Sequence, residues 1–114
     1  MSRRRFEELA ARALDGLPRW VHERLDNIDV VIEDSPPAEE PGLMGLYQGI
    51  PATERGMGYA GVLPDRITLY RRTIEGEAGG DEAELERVIA DTVIHEVAHH
   101  FGISDDRLHE LGRD

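Results

Sequence analysis

Between positions 81 and 102 the chain carries apolar residues on most of a helix's circumference: Leu85, Val88, Ile89, Val93, Ile94, Val97, Ala98 and Phe101. A helix of that kind has to be buried centrally, so the rest of a 114-residue chain must be arranged around it. Its ends are marked. Asp81, with Glu84 three positions on, reads as a capping-box start, and acidic residues in a first turn suit the helix dipole. Gly102 is a natural left-handed stop, after which Ser104 can cap a last short helix that turns Leu108 and Leu111 inward.

Three residues break the apolar pattern together: His95, Glu96 and His99. Four positions along a helix amount to about 400°, so the two imidazoles stack roughly 40° apart and roughly 6 Å up one face. That spacing lets both rings reach one metal ion at the usual Zn–N distance of about 2.0–2.1 Å. Glu96, rotated by about 100°, can lean over the open side of the metal and handle the proton of an acidified water. Burying two unpartnered imidazoles in such a helix would be costly, which favours a metal over two ordinary core histidines. A third ligand is then required. Gly102 can turn the chain back, and Asp105 follows three residues later, giving His-Glu-x-x-His-x-x-Gly-x-x-Asp. This is similar to the long metzincin pattern, with Asp where a third His usually stands. Asp106, one residue off that spacing, and His109, on the last helix, are the competing third ligands.

Upstream, Phe6, Leu9, Ala10, Ala13 and Leu14 recur at helical spacing until Gly16, and Pro18 opens a second short helix carrying Trp20, Val21 and Leu25. The period then changes. Residues 28–32 form a compact β-branched run, 43–50 a second strand weakened by glycines, and 67–70 a third. Residues 36–42 and 51–61 read as loops, 75–80 as an acidic, glycine-rich loop, and the Arg71-Arg72 pair as a solvated strand edge. The expected class is α+β, a single domain over 1–114 with a small mixed or mostly antiparallel sheet of about three strands.

Composition narrows the chemistry. The absence of Cys removes disulfides, thiolate nucleophiles and Cys-ligated metals. All 13 basic residues are Arg, so no P-loop or Schiff-base lysine is available. A net charge of −11 argues against nucleic-acid and anionic-membrane partners. No apolar run approaches the roughly 20 residues of a membrane span. Glu7 and Glu8 follow Arg3-Arg4-Arg5 where a signal peptide would turn apolar, and the chain is expected in the cytoplasm.

The run His95-Glu96-Val97-Ala98-His99-His100-Phe101-Gly102-Ile103-Ser104-Asp105 resembles the small bacterial zincin-like family of zinc metallopeptidases, as do Leu46-Tyr47-Gln48-Gly49 and the run from Leu63 to Arg71. The likeness covers most of the chain from about position 43 and, more loosely, the N-terminal helices. The ligand pattern is also similar to that of snapalysin, whose third ligand is an Asp. The resemblance implies a minimal zincin fold, a few-stranded sheet packed on a backing helix and an active-site helix. It implies one Zn2+ per chain held by His95, His99 and Asp105, Glu96 as catalytic acid/base, and a peptide or protein substrate. Metzincins follow the motif with a Met-turn, whereas the methionines here are at 1, 44 and 57, all upstream.

Other residues carry weaker expectations. Tyr47, Tyr59, Tyr70 and Arg66 are candidates for stabilising an oxyanion, and either strand 43–50 or strand 67–70 can pair with an extended substrate. His100 points away from the metal face and reads as a packing residue, and Asp91, on the face of His95, reads as a helix-surface carboxylate, with support of that ring as the alternative. The rival to a peptidase is a metal-stabilised binding protein with little or no hydrolytic turnover.

Overall fold

A computed structural model describes residues 1–49, 65–103 and 105–110, the side chains of Asp105, Leu108 and His109 excepted. Its elements are α1 (Arg3–Asp15), α2 (Arg19–Leu25), β1 (Ile28–Glu33), β2 (Gly45–Gln48), β3 (Asp65–Tyr70), α3 (Arg71–Ala78), α4 (Glu82–His100) and α5 (Asp105–Glu110). The architecture is α+β. Three strands form one mixed sheet in the order β1-β3-β2, with β1 parallel and β2 antiparallel to β3. The central strand is covered on both faces, and Ile67 to Tyr70 are all buried.

The central helix forms for the reasons legible in its sequence. The Asp81 carboxylate accepts from the backbone N–H groups of Ala83 and Glu84, satisfying two donors that an unprotected helix start would leave unpaired. The reciprocal half of a capping box is not made, because the Glu84 carboxylate turns to Arg87 instead. Gly102 takes φ 72° just past the other end. Between these ends, Leu85, Val88, Ile89, Val93, Ile94, Val97 and Ala98 enter one core with Phe6, Leu9, Ala10 and Ala13 of α1, Val21 of α2, and Ile67 and Leu69 of β3. Helix α1 packs against α4 rather than against the strands. Phe101 departs from expectation: it follows the helix, and it stays 47% exposed.

The segment expected as an acidic loop is helix α3. Ile74 and Ala78, four residues apart, are buried on one face against α4, and Gly79 at φ 66° ends the helix. Gly76 and the Gly79-Gly80 pair read locally as a loop, but tertiary burial of Ile74 and Ala78 overrides that. Arg71 is not a solvated edge. Its side chain, only 14% exposed, pairs with Asp34 beyond β1 and with Glu75 one turn along α3. The loop expected at 51–61 lies outside the described residues, as do the cap residue Ser104, Leu111 and the side chain of Leu108. No described helix is long and apolar enough to cross a membrane.

Candidate metal centre

A cleft of about 470 Å³ runs along α4, walled on one side by Gly42, Leu43, Met44 and Gly45. Its floor is Val88, Asp91, Thr92, His95, Glu96 and His99, a single row of the helix at intervals of three and four residues. His95 and Glu96 are half-buried along it and His99 is exposed. The two histidines therefore lie on a partly exposed face of the helix rather than in the core.

His95 Nδ1 lies 2.7 Å from the backbone carbonyl oxygen of Asp91. A carbonyl can only accept, so this nitrogen carries the proton and Nε2 keeps its lone pair for a ligand. Asp91 supports His95 through its backbone; its carboxylate, at 2.8 Å, engages Arg87. The rings of His95 and His99 are 6.2 Å apart, centre to centre. Two imidazoles on one tetrahedral zinc would have their centres roughly 5 Å apart, about 1 Å less than the separation here. In spacing and chemistry the donor pair is compatible with a zinc ion.

Among the described residues, no group of three His, Cys, Asp or Glu side chains is placed to hold a metal. Asp106 is described and exposed, and it joins no such group. Asp105 opens α5, and its side chain, like that of His109, lies outside the described residues.

Burial raises the Glu96 carboxyl above its ordinary pKa, against the smaller opposing pull of His99 and His95. A carboxyl moved in that direction is better suited to accept and return a proton near neutrality.

The edge strand is positioned by its glycines. Side chains alternate along β2, so Gly45 and Tyr47, followed by Gly49, turn to α4. A Cβ at Gly45 would stand 2.6 Å from Thr92 Cγ2 and 3.6 Å from Glu96 Cγ. Only a residue without a side chain permits that approach. Tyr47 stacks on His100 with ring centres 3.8 Å apart and donates its hydroxyl to Asp65 at 2.7 Å. This accounts for His100, which turns from the cleft to the strand. It also keeps Tyr47 off the cleft wall. Tyr70 is buried beneath the sheet and Arg66 is exposed, and neither lines the cleft. Tyr59 lies outside the described residues. The strand 67–70 falls within central β3, with a neighbour on each side, so among the described residues β2 is the one of the two proposed strands at an edge of the sheet.

Sequence reasoning missed the close approach at Gly45 and the contribution of α3, whose Glu77 joins the cleft lining. Comparison with curated proteins finds no match. The family model of the zincin-like metallopeptidases matches residues 25–113, from the end of α2 through the cleft-forming strand to the motif helix and beyond it. On that match, the chain belongs to the zincin-like metallopeptidase family.

Proposed function

We propose that this protein is a zinc-dependent peptidase in which His95, His99 and Asp105 hold one metal ion and Glu96 is the general base and acid. The observation that carries this reading is the placement of Glu96 on the same cleft-lining row as the two histidines, with its carboxyl raised by burial. Zinc bound there would supply a Lewis acid that polarises the scissile carbonyl and acidifies water. The chain's own residues do the remaining work. Glu96 takes the proton from the attacking water and returns it to the leaving amine. The Asp91 carbonyl holds the His95 ring in the tautomer that leaves Nε2 free. The outer edge of β2 pairs with the backbone of an extended peptide, fixing the scissile bond over the row on α4.

Metal content of wild type and Asp105→Ala, followed by a peptide-library screen of wild type and Glu96→Gln, tests the reading. Wild type should bind one zinc per chain and cleave peptides. Asp105→Ala should lose zinc affinity, and Glu96→Gln should keep zinc while losing hydrolysis. Full zinc affinity in Asp105→Ala would refute that ligand, and unchanged hydrolysis by Glu96→Gln would refute the role of Glu96.

A further inference from the structure

The cleft continues past the histidines toward the start of α4. From His95 back to Val88 is seven residues, about 10 Å of helix rise. The walls of this extension are apolar, formed by Leu43, Met44 and the buried Val88. Its charged rim consists of Arg87, Asp91 and Glu77, the last from the final turns of α3. Arg87 is already compensated, held between Glu84 and Asp91. Glu77 is exposed and makes no ion pair among the described residues. An apolar trough ending at an uncompensated carboxylate suits a side chain with an aliphatic stem and a cationic head.

We infer that this arm of the cleft selects peptides carrying lysine or arginine beside the scissile bond, with Glu77 receiving the cation. This deepens the peptidase reading and rests on it. The Cα of a residue beside the scissile bond lies about 3.8 Å farther along an extended chain. A lysine there, with its ammonium about 6 Å from its Cα, reaches about 10 Å along the trough with its methylenes against Leu43 and Met44. An acidic side chain would meet Glu77 and Asp91 with like charge, and the net charge of −11 acts in the same sense over longer range.

The test uses end-blocked, otherwise neutral peptides differing in one central residue (lysine, norleucine or glutamate) and zinc-supplied Glu96→Gln protein, so that binding is read without turnover. The lysine peptide should bind about threefold or more tighter than the norleucine peptide, less so at high salt. Adding Glu77→Gln should bring the ratio close to one, and Glu77→Arg should reverse the order of lysine and glutamate. Equal binding of lysine and norleucine, no measurable binding of the lysine peptide, or a ratio that survives Glu77→Gln overturns the inference. Failure of the underlying reading looks different. Selective binding without hydrolysis by wild type removes the peptidase and leaves the selectivity; hydrolysis without selectivity does the opposite.

Discussion

Replacing Gly45 by Ala isolates the contact that holds the edge strand on the motif helix. The added Cβ would lie 2.6 Å from Thr92 Cγ2 and 3.4 Å from the Thr68 carbonyl oxygen. Carbon atoms are comfortable at about 3.5–4.0 Å, so β2 or Thr92 must give by roughly 1 Å. Thr92 is a poor candidate to yield. It is buried, β-branched in a helix, and its hydroxyl donates to the Val88 carbonyl at 2.7 Å. Overpacking of this kind costs about 1–3 kcal/mol, which urea unfolding resolves directly. On the proposed reading a strand displaced by about 1 Å also mispositions the substrate paired with it, so kcat/KM of the zinc-supplied protein should fall by about 10- to 100-fold. Thr92→Ser removes the obstructing methyl and keeps the hydroxyl. In the double variant it should recover about 1 kcal/mol or more beyond additivity. A Gly45→Ala protein within about 0.5 kcal/mol of wild type, or strictly additive effects, would refute the steric argument.

Two further perturbations probe the same region. Because burial raises the Glu96 pKa, the metal-free folded chain binds that proton more tightly than the unfolded chain. This contribution is fully present below the ordinary value of 4.5 and is lost as pH rises through the raised one. Metal-free Glu96→Gln should therefore have a higher urea midpoint than wild type at pH 7, an advantage that shrinks below pH 4.5; an equal or lower midpoint at pH 7 contradicts it. Tyr47→Phe keeps the stack on His100 but removes the donor to Asp65, at a cost of about 1 kcal/mol, and Tyr47→Ala should cost about 1 kcal/mol more through loss of the stack. Equal stabilities of the two variants would show that the ring contact contributes nothing.

What the sequence discloses follows the range of the forces involved. The ends of α4 are set by neighbours in the chain, Asp81 at one end and Gly102 at the other, and both are readable locally. The pairing of His95 with His99 is equally local, a consequence of helical pitch. The class of the sheet is readable from β-branched runs, but its order is not: which strand becomes central depends on partners far along the chain. Helix α3 is obscured because its local signals, Gly76 within it and Gly79-Gly80 just past it, argue against a helix that burial of Ile74 and Ala78 then enforces. Gly45 has no local signature at all, since its reason is the side chain of Thr92, 47 residues later in numbering.

The precision of the cleft consequently comes from residues other than its proton-transfer and ligand candidates. On one side β2 is fixed by β3, in a register that places Gly45 opposite Leu69 and Tyr47 opposite Ile67. On the other it is fixed by the bare backbone at Gly45 against Thr92 and by Tyr47 against His100, one turn beyond Glu96. Sliding the strand by one residue would turn Leu46 and Gln48 toward the helix, where Thr92 and Glu96 leave no room for a side chain at the first of these contacts. Register and distance are thus coupled, and an edge strand that is correctly paired is necessarily at the correct height over His95 and Glu96. In so small a domain, that coupling does the positioning that a larger enzyme can distribute over added loops and subdomains.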